Sequence, residues 1–298
     1  MRRLVIFALI GFAAQLVDGT LGMSYGVTST SLLLMFGIAP AVASASVHMA
    51  EVVTTAASGI SHIRFGNVDK QVVRKLILPG SIGAFLGACF LGSIPGEIIK
   101  PFVSTFLLLL GIFVMYRFLF HRNQPSKIAN TKRNHKHLIS LGFIAGFFDA
   151  TGGGGWGPIA TPVLMTKNDM EPRKVIGSVD TSEFAIALSS TIGFLLTIGW
   201  SQINIQWVIA FMIGGLIAAP IAAWLVKIIP TNLLGALVGG MIIITNIRTL
   251  LGALNASYIT SLYTYVVLSI LWIFALGNVI WKLKKESCQN ESRRLNSY

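Results

Sequence analysis

One unusual pattern occurs twice in this chain, and that constrains its fold more than any other feature. GFAAQLVDGTLGMSYG, starting at Gly11, lies on GFIAGFFDATGGGGWG, starting at Gly142. The superposition puts Asp18 on Asp149, Thr20 on Thr151, Gly22 on Gly153 and Tyr25 on Trp156. After one residue of slip it continues: Pro40 falls on Pro172, and SVHMAE (46–51) falls on SVDTSE (178–183), so Glu51 meets Glu183. Further on, Asn67-Val68 meets Asn204-Ile205 and Ile94-Pro95 meets Ile229-Pro230. A match that keeps its order over most of a chain marks two related structural halves.

The solvent of those halves follows from composition. Apolar residues make up 54% of the chain and charged residues 11%, against roughly 45–50% and 25% in soluble domains. Too little charge is present to cover a soluble surface, whereas lipid requires none. Uninterrupted apolar stretches, each near the roughly 20 residues of a membrane span, lie at about 41–63, 76–95, 101–120, 173–199, 207–228, 232–252 and 259–281. Two more are interrupted: 4–38 near VDGTLG, and 138–166 at DATGGGGWGP. The pieces of the second, about 12–15 residues each, suit half-helices. MRRLVIFALIGFAAQ has the make-up of a signal peptide, but it has a counterpart in the second half, so it is expected to stay. The expected fold is an all-α integral membrane protein, with discontinuous helices near Asp18 and Asp149.

The net charge of +12 is concentrated in loops: HRNQPSKIANTKRNHKH at 121–137, and Lys282, Lys284, Lys285, Arg293 and Arg294 after the last apolar stretch. This is the positive-inside signal and not a nucleic-acid surface. With the 121–137 loop inside, 64–75 and 167–174 also fall inside and carry basic residues, while 200–206 and 253–258 fall outside and hold no Lys or Arg. Only Arg2 and Arg3 disagree. Each half then has an odd number of crossings, which is the inverted-repeat plan of secondary transporters. The expected organisation is an N-terminal repeat (1–120), a basic cytoplasmic linker (121–137), an inverted C-terminal repeat with an extra last helix (138–281) and a basic tail (282–298).

Two constellations carry chemistry. Gly152, Gly153, Gly154 and Gly155, followed by Gly157 and Pro158, cannot continue an ordinary helix. Irregular backbone survives at membrane depth only when buried in protein or lining a watery cavity. A helix starting just past the break would present free N–H groups and a positive dipole end to an anion. The competing reading is tight helix packing through small residues. The second constellation is Glu51 and Glu183, with His48 and Asp180 one helical turn earlier. Ionisable groups inside a span are expensive and mark function. They either cap the broken helices or carry protons and gate. Ionised, they would repel an anion, and a proton-coupled mechanism resolves that conflict. Ser46, Thr54, Thr55, Ser178, Thr181 and Ser182 add hydroxyls to the same segments.

Other signals are weak. GMSYG (22–26) fits a nucleophile elbow, but that motif needs a soluble strand–turn–helix, and its repeat mate has no serine. The Gly-rich run lacks the Gly-Lys-Ser/Thr of a P-loop. Cys89 and Cys288 form no disulfide framework or metal spacing. No cofactor is implied. His62, His121, His135 and His137 read as interfacial or loop residues, and Trp200, Trp207, Trp272 and Trp281 as an aromatic belt.

Two copies of a G-F-x-x-x-x-x-D-[AG]-T-x-G opening, a Gly-rich break, a Pro and an S-V-x-x-x-E span resemble the TauE/SafE sulfite exporter family, the 4-toluene sulfonate uptake permease group. The similarity covers nearly all of residues 4–281. It implies a multi-pass permease of the bacterial cytoplasmic membrane whose partners are the lipid bilayer, a small sulfur-containing anion and a coupling ion, proton or sodium. The family signature falls on Asp18, Gly22, Tyr25, Glu51, Asp149, Gly152 to Gly155, Trp156, Pro158, Ser178 and Glu183. The first break departs from it, with Leu21, Met23 and Ser24 in place of glycines. Substrate contact is expected from Gly22, Ser24, Tyr25, Gly152, Gly153, Gly154, Gly155, Trp156 and Ser178. Coupling or gating is expected from Asp18, His48, Glu51, Asp149, Asp180 and Glu183.

Overall fold

The computed structural model describes residues 2–21, 23, 25–120, 135–166, 170–225 and 231–295. Every regular element among them is helical. The first half contains α1 (Arg2–Leu21), α2 (Tyr25–Met35), α3 (Pro40–Arg64), α4 (Lys70–Ser93) and α5 (Gly96–Phe120). The second repeats the order with α6 (His135–Gly152), α7 (Trp156–Thr166), α8 (Pro172–Thr197), α9 (Ile205–Leu225) and α10 (Thr231–Ala253), then adds α11 (Tyr258–Leu295). The seven uninterrupted apolar stretches fall in α3, α4, α5, α8, α9, α10 and α11.

Lys70–Ser93, Gly96–Phe120, Lys174–Thr197, Gly235–Ala253 and Tyr258–Lys285 are long and apolar enough to cross a membrane. The chain is an all-α membrane protein. Its lipid-facing surface carries exposed large side chains such as Leu78, Phe102, Leu109, Leu196 and Phe274. Although α3 has 25 residues, it is not among these apolar spans. Ser44, His48, Glu51, Thr54 and Thr55 lower its hydropathy, and all five are buried. It is an interior helix.

At 18 residues, α6 is longer than expected, about 27 Å at 1.5 Å per residue, but its apolar part, His137–Gly152, and that of α1, Leu4–Asp18, stay shorter than the apolar spans. Helices α2 and α7 have 11 residues each. Helix α11 runs on past the last apolar stretch to Leu295. Most of the basic linker, 121–134, lies outside the described residues.

The two halves pack reciprocally. Helix α1 lies on α9, and α6 lies on α4, so each half's first helix is laid on the other half's fourth. Glycines make both crossings close. A Cβ at Gly83 would overlap the Phe143 carbonyl, one at Gly146 the Gly80 carbonyl, and one at Gly11 the Phe211 carbonyl. Small residues let backbones touch where lipid supplies no hydrophobic drive. Helices α3 and α8 cross at the centre, and α5 pairs with α10. Helix α11 packs chiefly on α10, where the Trp272 indole N–H donates to the Ala236 carbonyl at 2.9 Å. Trp207 stacks on Phe7 at 4.7 Å. These two tryptophans serve packing, while Trp200 and Trp281 are exposed as an aromatic belt requires.

Candidate functional site

The second break is built from its own sequence. Gly153 takes the left-handed backbone (φ 69°) that ends α6, and the Gly154 N–H returns to the Asp149 carbonyl at 3.0 Å. This is a glycine helix stop. The next helix needs acceptors for its first N–H groups. Asp149 Oδ1 supplies them, taking the N–H of Gly155 at 2.7 Å and of Trp156 at 2.8 Å. Pro158 has no N–H to satisfy. Carbonyls stranded by the break are met from the other half: Ser44 donates to Ala150 O and Thr30 to Gly153 O, both at 2.7 Å.

This arrangement changes the reading of the glycine run. The N-terminus of α7 faces the chain's own carboxylate and not an open anion nest. The missing side chains of the run are filled by neighbouring helices. A Cβ on Gly154 would overlap Gly26 and Val27, one on Gly153 would overlap Thr30, and one on Gly152 would overlap the Phe106 ring. Gly155 sits against the Phe148–Asp149 backbone. Trp156 is fully buried and donates its indole N–H to Val179 O at 3.0 Å. Ser178 accepts the Asp69 N–H at 2.8 Å at the start of α4.

His48 completes the second break. Its Nε2 lies 3.0 Å from Asp149 Oδ2 and its Nδ1 2.8 Å from the Ser44 carbonyl. The Ser44 hydroxyl proton is already committed to Ala150, so both groups facing Nδ1 act as acceptors and Nδ1 carries a proton. One further proton lies between Nε2 and Oδ2. Wherever it sits, the pair is net neutral.

At the first break Asp18 Oδ1 accepts the Tyr25 N–H at 3.3 Å, as Asp149 accepts that of Trp156. Gly22 and Ser24 lie outside the described residues. Among the described residues both aspartates accept N–H groups of the helix that follows their break.

A narrow crevice of about 10 Å³ opens where α1, α2, α3 and α8 meet, room for about one water. Helix α1 lends Gln15 and Asp18, and α2 lends Tyr25. Helix α3 lends Glu51, Thr54, Thr55 and Ser58, and α8 lends Asp180 and Glu183. Glu51 is 2% exposed and Tyr25 4%, and neither Glu51 Oε2 nor the Tyr25 hydroxyl has a hydrogen-bond partner. Glu51 Oε2 stands 4.0 Å from His48 Nε2. Asp180 bonds Ser58, and its Oδ2 lies 3.6 Å from His62 Nε2.

Five of the expected residues therefore meet in one place: Asp18, Tyr25, Glu51, Asp180 and Glu183. His48 and Asp149 lie beside it, while Gly152 to Gly155, Trp156 and Ser178 serve packing and capping. Gln15, Ser58 and His62 had not been singled out for the site. His62, read as interfacial, faces a site carboxylate. Their signal was helical spacing, since 51, 54, 55, 58 and 62 share one face of α3 and Gln15 lies one turn before Asp18. Among the described residues no three His, Cys, Asp or Glu side chains converge as a metal site.

The family model described as Sulfite exporter TauE/SafE matches residues 7–249. A probable membrane transporter protein, YtnM of Bacillus subtilis (strain 168), is 57% identical over 283 residues, covering 95% of this chain and 94% of that protein. No solved structure matches.

Proposed function

This chain belongs to the TauE/SafE sulfite exporter family, multi-pass membrane transporters and not enzymes, and we propose that it moves a small sulfur-containing anion such as sulfite or a sulfonate across the bacterial cytoplasmic membrane, coupled to the proton gradient. The observation that carries this reading is the crevice, where four carboxyls and an unpartnered tyrosine hydroxyl converge between the halves. Ionised, these carboxyls would repel an anion and would each cost several kcal/mol to keep away from water. A carboxyl that takes up a proton there becomes a donor that an anion can accept from. Loading a proton then permits loading the anion.

The reciprocal packing supports reading 1–120 and 138–281 as two repeats inserted in opposite senses and joined by the 121–137 linker on the cytoplasmic face. The crevice at their junction is where alternating access would act.

The test is flux of labelled sulfite, an alkyl sulfonate and sulfate in proteoliposomes, with and without a pH gradient. Saturable, gradient-driven movement of sulfite or the sulfonate supports the reading. No protein-dependent flux of any of the three removes the sulfur-anion assignment. Flux indifferent to the gradient removes the coupling.

A further inference from the structure

The sequence match sets up a comparison that the geometry resolves. Each half has a break capped by an aspartate, and each has a residue one turn before the glutamate of its third helix. For the second break that residue comes from the other half, and it is His48, 3.0 Å from Asp149. The matched residue near the first break is Asp180, which shares the crevice with Asp18. One break holds an imidazole where the other holds a second acid.

We propose that Glu51 is the single proton-loading carboxyl of the crevice, and that pairing with His48, which leaves the pair net neutral, keeps the Asp149 break out of the proton cycle. Geometry selects Glu51. Asp18 accepts the Tyr25 N–H; Asp180 Oδ2, like Glu51 Oε2, has no hydrogen bond among the described residues, but it lies 3.6 Å from His62 and its side chain is 17% exposed against 2% for Glu51. Glu183 is only half-buried. Glu51 Oε2 is buried with no partner, and the nearest basic group, His48, is committed to Asp149 an ångström closer. The unpartnered Tyr25 hydroxyl, from another helix, lines the same crevice and gives a loaded group a neutral partner.

The surroundings of Glu51 are otherwise acidic: Asp18 from α1, Asp149 from α6, and Asp180 and Glu183 from α8. Helix α9 presents Phe211 and Gly215 near Tyr25, neither of them ionisable. The charged residues of α4 and α5, namely Lys70, Arg74, Lys75, Glu97, Lys100 and Arg117, lie toward the ends of those helices. A carboxylate in such a place gains a proton from the aqueous side as a neutral O–H at Oε2 and returns it on release. Nothing else is consumed.

This assignment rests on the proton-coupled reading but is tested without flux. Infrared difference spectra of the full-length protein in lipid, taken across neutral pH, report protonated carboxyls directly. One such band is expected. It should disappear in Glu51→Gln, shift but persist in Glu51→Asp, and be joined by a second band in His48→Gln as Asp149 loses its partner. A band undiminished in Glu51→Gln, or no added band in folded His48→Gln protein, overturns the proposal. The expected bands without any driven flux would uphold this site and defeat only the transport reading. Gradient-driven flux unaltered in Glu51→Gln would defeat this site alone.

Discussion

The two breaks start from nearly the same sequence and end in different electrostatic states. At the second, Asp149 accepts two short backbone N–H bonds and pairs with His48, so every charge has a partner inside the protein. At the first, Asp18, which accepts the Tyr25 N–H, faces other acids across a crevice. A buried pair with satisfied hydrogen bonds is rigid and needs nothing from outside. A buried acid cluster without an internal cation must take up a proton or an ion. The two matched breaks differ at His48 and Asp180, and on the reading proposed above that difference separates a structural joint from a working site.

Substitutions can break or sharpen that contrast. The largest effect is expected at Gly154, whose φ of 147° and contact with Gly26 and Val27 leave no room for a side chain. Gly154→Val adds strain of about 1–3 kcal/mol to overpacking of about 1–3 kcal/mol. The yield of monodisperse protein should collapse, whereas Gly252→Val, with nothing within 4 Å, should leave it intact. Loss of transport in folded Gly154→Val protein would instead return the run to substrate contact.

Next comes a direct comparison of the two caps. Asp149→Ala strands His48 and two N–H groups and should cost about 3–5 kcal/mol, as when one partner of a buried pair is removed. Asp18→Ala strands no histidine and removes one acid from an acidic crevice, so it should cost less, about 1 kcal/mol. Thermal unfolding in detergent measures both. Equal losses would mean that the breaks are not specialised. The smallest effects fall on the matched aromatics. Trp156→Phe loses the bond to Val179 and about 1 kcal/mol. Tyr25→Phe removes a hydroxyl with no partner and should leave the unfolding temperature nearly unchanged while altering flux.

Much of this was legible in the sequence. Apolar runs located the helices, because lipid and the interior both demand them. The repeat pointed to the carboxyls, because an acid in a span is too expensive to be incidental. The glycine run was ambiguous for a physical reason. A missing side chain admits an anion or a neighbouring helix equally well, and the sequence does not say which. The deciding contact, Thr30 to Gly153, spans 123 residues and has no local signature. Helix lengths were misjudged at α6 because its first turns are polar (His135, Lys136, His137) while its backbone is already helical. Gln15, Ser58 and His62 are common polar residues whose importance comes only from sharing a face with the acids.

The central claim is that proton loading in the crevice, at Glu51, drives the anion. It is tested most directly by accumulation of a labelled alkyl sulfonate, whose charge does not vary with pH, in proteoliposomes under an imposed pH gradient. The account predicts accumulation by the wild-type protein that a protonophore abolishes and that Glu51→Gln does not support. Accumulation indifferent to the gradient, or equal in Glu51→Gln, would contradict it.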